Sequence, residues 1–446
     1  MDFAKLSQEA LSIEAASRDA PHNIALCYEG KSYTYEALCA LTREKRLTLK
    51  KPPSGRPYIL VGRNTLETFL TIYALLEERI PFLLLHPTLT ALELEGILHD
   101  IDAITDPIPE DTAAILLTSG TTGKPKPAML SRAALTASAY SSAMNIPLTA
   151  NDAWLMSISA SRIGGLSILT RSLAARSRVV SFPHFCAKDF IAVLEKNHVT
   201  LASLVPTMLV KLMDEFPEWK PREEFRTILL GGSAASQTLL AKAKERGIPI
   251  VTTYGMTETA SNIVTSPYAG RLDPKAKPRA NALAEIKIED GTLRVRGPMR
   301  MTGYWGHPPL AKDAWFDTGD IAEIATDGSV QVFARRTDLI VSGGENVYPA
   351  EVEAALTSIP GIKAALVLGL PDATWGAVVT ALLVSDSDPL TDDVFKAEVK
   401  KRLSPFKCPR RIAWVKTLPQ NSAGKPERSP AKALAGIVLK TLHYTR

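Results

Sequence analysis

Cysteine is scarce in this chain: Cys27, Cys39, Cys186 and Cys408 lie far apart with no C-x-x-C pair. That spacing excludes a disulfide framework and a zinc ribbon and suits reduced thiols in a cytosol. The seven histidines form no metal-ligand cluster either. Long apolar runs are also missing. "YILVG" and "PFLLLHP" stop far short of the roughly 18 to 20 residues that a membrane helix needs, so no membrane span is expected. The opening "MDFAKLSQEALSIEAA" carries acids and no apolar signal core, which points to a cytoplasmic protein. Charge of one sign is not in large excess, at +5 over 446 residues. No aromatic-rich basic stripe accompanies it, so nucleic acid is not an expected partner. The one dense basic stretch, "KKRLSPFKCPRRI", reads as a solvated surface or as a meeting point for an anionic ligand.

What is present is an ordinary globular composition, 46% hydrophobic and 22% charged. The length exceeds what one hydrophobic core supports, which implies two or more domains. Short β-branched or apolar segments such as "PYILVG", "PFLLLH", "ASLVP", "RTILLGG" and "IPIVTTYG" alternate with helical patterns such as "LETFLTIYALLEE". This rhythm predicts an α/β fold of βαβ units with mostly parallel sheets. From Asn281 onward the strands crowd together between Gly and Asp turns ("AEIKIED", "GTLRVRG", "SVQVFA"), predicting a small antiparallel sheet or β-barrel-like region over 281–335. After "RRTDLIVSGG" a compact α+β unit follows. The expected division is an N-terminal domain over 1–335 and a smaller C-terminal domain over 336–446.

The chemistry-bearing stretch is "LLTSGTTGKPKPAML". Thr118, Ser119, Gly120, Thr121, Thr122, Gly123 and Lys124 offer hydroxyls, backbone N–H groups and a cation in one turn, the equipment for wrapping a polyphosphate. A P-loop is excluded because Pro125 stands where that motif requires a magnesium-binding Ser or Thr. Further along, "TTYGMTETAS" sets Tyr254 and Gly255 before Thr257 and Glu258, an aromatic for a purine and a carboxylate suited to magnesium. "WFDTGD" places Asp320 at a loop before a strand, where a carboxylate accepts ribose hydroxyls. "RRTDLIVSGGENVYPAEVE" supplies Arg336, Asp338, Gly343 and Gly344, and "SAGKPERS" presents Lys425. Taken singly, each has a plain reading: a core tyrosine, a surface acid, cap glycines, a solvated lysine. Taken together they describe an ATP site.

These motifs, in this order and with "GGS" at Gly231, Gly232 and Ser233, resemble those of the adenylate-forming superfamily of acyl- and aryl-CoA ligases over nearly the whole chain. The resemblance implies a two-step reaction using ATP, Mg2+ and coenzyme A on a small-molecule carboxylate. The acid attacks the α-phosphate to give an acyl-adenylate and pyrophosphate, and a thiol then displaces AMP. It further implies Lys425 bridging carboxylate and α-phosphate, residues 118–124 holding the leaving phosphates, and Glu258 on magnesium. Thr257 would hold the α-phosphate, Tyr254 the adenine, and Asp320 and Arg336 the ribose. Asp338 matches the hinge about which the C-terminal domain turns, bringing Gly343 and Gly344 to the thiol channel.

Some positions depart from the family pattern. Pro127 and Ala128 replace a common Gly-Val, Arg335 stands for a glycine, and Ser161 and Arg162 stand where many relatives carry an aromatic and a histidine. Within the superfamily the chain is most similar to the o-succinylbenzoate:CoA ligases of menaquinone synthesis, whose substrate carries two carboxylates. Arg162, Arg171, Ser203 and Asn262 are the candidates for recognising that acid. Arg171 shares a helix face with Gly164 at i to i+7 spacing, while an outward, solvated position is the plain alternative for either arginine. Other aryl- or medium-chain acyl-CoA ligases, and enzymes loading a carrier-protein thiol, remain open. So does association into a homo-oligomer.

Overall fold

The computed structural model describes residues 8–89, 91–119, 125–183, 185–335, 338–342, 345–372, 375–385, 388–403, 405–421 and 426–444. It divides into two units, one made of 1–232, 243–286 and 295–316, the other of 233–242, 287–294 and 317–446.

The first unit holds two sheets. One has nine strands in the order β13 (Arg279–Ala280), β12 (Ser261–Thr265), β11 (Ile250–Met256), β10 (Thr227–Leu230), β9 (Leu201–Leu204), β7 (Ala153–Met156), β8 (Arg178–Ser181), β1 (Ile24–Tyr28) and β2 (Lys31–Thr34). Its centre, from β11 to β1, is parallel, and antiparallel strands flank it on both edges. The other has five strands, β16 (Gly303–Tyr304), β6 (Pro125–Ser131), β5 (Thr112–Ser119), β4 (Phe82–Leu85) and β3 (Tyr58–Val61), parallel from β3 to β5. Strands such as "FLLL", "AWLM", "LASL" and "TILL" are buried along their whole length. That is the sequence signature of parallel strands covered on both faces. One continuous core joins the sheets: Phe82, Leu84 and Leu116 from the smaller, Trp154, Met156 and Leu229 from the larger. Phe69, Ile72, Leu166 and Leu169 lie between them in sequence-adjacent helices.

Asn64 fastens the loop that leads into the acid-side helix Ile163–Ala175. Its buried Nδ2 donates to the carbonyls of Met156 (3.1 Å), Ile158 (3.2 Å) and Phe182 (3.1 Å), and its Oδ1 accepts from the Ala160 N–H at 2.9 Å. Gly165 completes the clasp, since a Cβ there would sit 2.1 Å from the Ser159 carbonyl oxygen. Only glycine permits so close a backbone approach.

In the second unit, β14 (Glu285–Glu289), β15 (Thr292–Arg296), β17 (Phe316–Ile324) and β18 (Val330–Arg335) form a four-stranded sheet, most of whose residues belong to this unit. Among the described residues no pairing closes it into a barrel, so the sheet alternative holds. The remaining sheet has the order β20 (Glu345–Val347), β19 (Ile340–Ser342), β22 (Gly376–Ser385), β23 (Arg411–Trp414), β24 (Lys440–Thr441), with β21 (Ile362–Asp372) also paired to β22. Val352, Leu356, Phe395, Val399 and Ile412 form its core with the helices Pro349–Thr357 and Asp392–Lys400. Among the described residues, no helix is long and apolar enough to cross a membrane.

Replacing Asn64 by alanine strands one buried N–H and removes the donor from three carbonyls. At 1–3 kcal/mol per unsatisfied group, partly relaxed, the expected loss of unfolding free energy is about 2–4 kcal/mol. Urea titration of Asn64→Ala measures it, and a change below about 1 kcal/mol would remove this residue from its role as fastener.

Candidate active site

The phosphate-loop candidate hangs from a hairpin. β5 and β6 pair Thr118 with Lys126 and Ser119 with Pro125, and the Thr118 hydroxyl donates to the Lys126 carbonyl at 3.4 Å. Gly120, Thr121, Thr122, Gly123 and Lys124 lie outside the described residues, as does the side chain of Ser119. The pairing nevertheless fixes the two ends of the loop next to each other.

Glu258 lies beside this stem. β16 pairs with β6, setting Tyr304 opposite Ala128. The Tyr304 hydroxyl donates to Glu258 Oε1 at 2.7 Å, and Lys126 Nζ stands 5.4 Å from the centre of the Tyr304 ring. The Glu258 carbonyl also accepts from the Met301 N–H at 2.8 Å. A 5% exposed carboxylate with one oxygen tied and a lysine nearby fits a magnesium ion carried in by phosphate, because magnesium takes one or two carboxylates together with phosphate and water. No group of three His, Cys, Asp or Glu side chains suited to a metal occurs among the described residues. Tyr304 and Lys126 were not singled out in the sequence. The only local signal was an aromatic in "MTGYWG", and its meaning depends on a strand pairing across more than 170 residues.

The turn carrying Glu258 is strained. Thr257–Thr259 form a short 3-10 turn after β11, followed by Ala260 (φ 48°) and Ser261 (φ 113°), two successive non-glycine residues in the left-handed half of backbone space. Such conformations cost about 1–3 kcal/mol each and persist where the surroundings enforce them. Here the Ser138 hydroxyl holds the Ala260 carbonyl at 2.6 Å, and the Thr259 hydroxyl bonds Ser261 O at 2.8 Å. Gly255 lets the returning strand pass, since a Cβ would lie 2.0 Å from the Ser261 carbonyl oxygen. A register shift follows Tyr254, which faces Val264 across the pair.

The strand leaving this turn delivers Ser261 and Asn262 to Arg171. The Arg171 residue is 3% exposed. Its Nη2 donates to Ser261 Oγ at 3.1 Å and to Asn262 Oδ1. Its guanidinium lies 5.6 Å from the centre of the Trp154 ring, and Trp154 Nε1 donates to Ser203 Oγ at 3.0 Å. Arg171, Asn262 and Ser203 are thus gathered around Trp154 of β7, the connecting surface the sequence reading did not include. Two polar atoms in the cluster are buried without a partner, Arg171 Nε and Asn262 Nδ2. Burial brings the Arg171 guanidinium down to about 10, so it stays cationic at neutral pH. No carboxylate among the described residues pairs with it. An isolated buried charge is costly; Arg171 has two neutral acceptors and no anionic one, an arrangement suited to an anion.

Arg162 is not part of this cluster. It precedes the Ile163–Ala175 helix, at the opposite end from Arg171, and lies near His86. Gly231 and Gly232 follow β10, the Gly231 N–H reaching the Leu204 carbonyl at 3.1 Å, with Ser233 next in the chain. In the second unit, Asp320 is buried within β17, opposite Arg335 of β18. This corrects the expected loop position. The strand begins at Phe316 and runs through the bend at Gly319, where Asp317 Oδ1 takes the Gly319 N–H at 2.9 Å and Thr318 Oγ1 takes the Asp320 N–H at 3.1 Å. Arg336, Gly343, Gly344 and Lys425 lie outside the described residues. The bridge Gln420↔Pro426 closes the segment containing Lys425. Arg428 roots it by donating to Glu353 Oε2 (3.0 Å) and the Val367 carbonyl (3.2 Å), and its Nε stands 4.0 Å from Asp338 Oδ2.

Two family descriptions match the chain: AMP-binding enzyme over residues 102–305 and AMP-binding enzyme C-terminal domain over 351–425. The 2-succinylbenzoate–CoA ligase of Listeria monocytogenes serovar 1/2a is 35% identical, the match covering 93% of this chain and 97% of the relative. Among solved structures, o-succinylbenzoate CoA synthetase from Bacillus subtilis in complex with the acyl-adenylate intermediate OSB-AMP superposes with a TM-score of 0.81. It is 30% identical, with 94% of this chain and 97% of that chain covered. The same enzyme in complex with ATP and magnesium ion gives 0.79 at 30% identity, covering 93% and 97%. By motif order, family match and full-length identity, the chain belongs to the AMP-binding enzymes, the adenylate-forming acid:CoA ligases.

Proposed function

We propose that the chain is the ATP-dependent, AMP-forming ligase that joins 2-succinylbenzoate to coenzyme A in the menaquinone route, acting in the cytoplasm on small molecules without nucleic acid. The observation that carries the substrate is Arg171: a buried guanidinium lacking a carboxylate, held by Ser261 and Asn262 of the strand that leaves the Glu258 turn. 2-Succinylbenzoate has a carboxylate to spare. Its succinyl end reacts while its ring carboxylate pairs with Arg171, and the partnerless Asn262 Nδ2 supplies a further donor. The full-length likeness to relatives bearing this name supports the same reading.

The first half-reaction joins two anions, so positioning and charge neutralisation supply most of the catalysis. A succinyl carboxylate oxygen attacks the α-phosphorus; the bond to the β-phosphate breaks and pyrophosphate leaves. Residues 118–124 would hold the leaving phosphates, Thr257 the α-phosphate, Glu258 the magnesium, and Lys425 both reacting ends. Tyr254 would face the adenine, and Asp320 and Arg336 the ribose. In the second half-reaction the thiol sulfur, losing its proton, attacks the acyl carbon and AMP departs. Rotation of the 336–446 domain about Asp338 would withdraw Lys425 and bring Gly343 and Gly344 to the thiol. The contact between Arg428 and Asp338 ties the hinge residue to the base of the Lys425 segment.

Pyrophosphate release with Mg·ATP, coenzyme A and a panel of 2-succinylbenzoate, benzoate, octanoate and acetate tests the substrate. 2-Succinylbenzoate should be the preferred acid. Arg171→Gln should lower its kcat/KM about 100- to 1,000-fold, the effect of stranding a buried carboxylate. Equal turnover of octanoate by the wild type would discard the assignment. Tyr304→Phe removes one hydrogen bond to the Glu258 carboxylate, worth about 1 kcal/mol. Its expected signature is a KM for Mg·ATP raised about fivefold, most visible at low magnesium. An unchanged magnesium dependence would detach Tyr304, and with it Glu258, from the metal.

A further inference from the structure

Arg171 lies towards one end of the Ile163–Ala175 helix, and a second guanidinium stands at the other. Arg162 directly precedes that helix with extended backbone and no side-chain capping bond. Its backbone is fixed: the N–H donates to Ser159 O at 3.0 Å, and the carbonyl accepts from Gly165 and Leu166 at 2.9 Å each. Ser159 Oγ donates to the Gly62 carbonyl at 2.7 Å, the Ser161 N–H reaches the same oxygen at 3.2 Å, and the Gly62 N–H donates to Leu85 O at 2.9 Å. The loop is thereby stitched to the carboxyl ends of β3 and β4.

His86 follows β4. Its imidazole is pushed down to about 4, by burial first and by the Arg162 charge second, so it is neutral at pH 7 and offers Arg162 no counter-charge. Its Nδ1 is taken by Thr88 Oγ1 at 2.7 Å. β4 and β5 run parallel with Leu84 opposite Leu116, so two residues further His86 comes level with Thr118, the start of the phosphate loop. Burial also lowers the Arg162 guanidinium, whose Nε is enclosed without a partner. Among the described residues no hydrogen bond or ion pair reaches that side chain.

Nine residues at a rise of about 1.5 Å separate the two arginines by roughly 13 Å along the helix. In 2-succinylbenzoate six bonds of about 1.5 Å connect the two carboxyl carbons, an extended span of roughly 7 Å. The first distance is between backbones, and two arginine side chains are long enough to cover the difference. We propose that Arg162 binds the succinyl carboxylate that is to be activated, so that the dicarboxylate lies between guanidinium groups from the two ends of one helix. This deepens the substrate reading above and rests on it.

The test compares 2-succinylbenzoate with 4-oxo-4-phenylbutanoate, which keeps the reacting arm and lacks the ring carboxylate. Arg162→Gln should lower kcat/KM for pyrophosphate release about 30-fold with both acids and by the same factor, whereas Arg171→Gln should affect only the dicarboxylate. Arg162→Lys should recover most of the loss, with melting temperature and Mg·ATP affinity of both Arg162 variants at wild-type values. The proposal fails if Arg162→Gln is as active as wild type, if it spares 4-oxo-4-phenylbutanoate, or if lysine is no better than glutamine. Failure of the underlying reading shows differently: the wild-type enzyme itself would then release pyrophosphate with neither acid.

Discussion

A buried guanidinium without a carboxylate is the constraint around which this part of the first unit is built. Folding has to bury Arg171 with its charge intact, and the two side-chain acceptors it finds, Ser261 and Asn262, are neutral. Neutral acceptors satisfy hydrogen-bond geometry but leave the charge uncompensated, so part of the desolvation cost is carried until an anion arrives. Had an aspartate stood at 262, the pair would be satisfied and the site closed to a carboxylate. The Trp154 ring beneath the guanidinium offers attraction to a cation without supplying a competing anion.

That arrangement is joined to Glu258, the proposed magnesium ligand, through one short piece of chain. Glu258 and Asn262 are four residues apart, and the strained backbone at Ala260 and Ser261 turns the chain between them. The strain is held by Ser138 and Thr259 from within and by the absence of a side chain at Gly255. A relaxed turn would carry Glu258 and Asn262 in different directions. The conformational cost therefore sits where the two charge-handling halves of the site must keep a fixed relation.

Much of this was legible in the sequence, for identifiable reasons. Four-residue apolar strands between helical patterns announce covered parallel sheets, and β4, β7, β9 and β10 are such strands. The hydroxyl- and glycine-rich loop at 118–124 suggests phosphate, but most of it lies outside the described residues; helical spacing brought Arg171 forward, and that residue is buried. What escaped depends on pairings no local pattern encodes. Tyr304 matters because a two-residue strand lies against β6, which also sets Lys126 over its ring. Trp154 reads as core from its apolar neighbours, and it is buried; only the juxtaposition of β7 with β9 and the Ile163–Ala175 helix gives its N–H and its face separate tasks. Asp320 was assigned to a loop because "DTGD" is turn-rich, yet pairing with β18 extends the strand across that bend.

The departure at Arg162 gains its meaning from the same electrostatics. A histidine at that position would be neutral when buried and would leave its surroundings without a fixed charge. An arginine stays protonated even when burial lowers it, and its charge adds to the burial that already keeps His86 neutral. An arginine at this position is therefore a permanent cation beside a neutral imidazole. For a reaction that must bring a carboxylate to a phosphate, a permanent cation favours the encounter at any pH in the neutral range. It also binds the carboxylate before attack, stabilising the ground state as well as the transition state. Rate is gained only from charge that acts more strongly in the transition state than on the bound acid, so the task proposed for Arg162 is to position the acid, and activation falls to other groups.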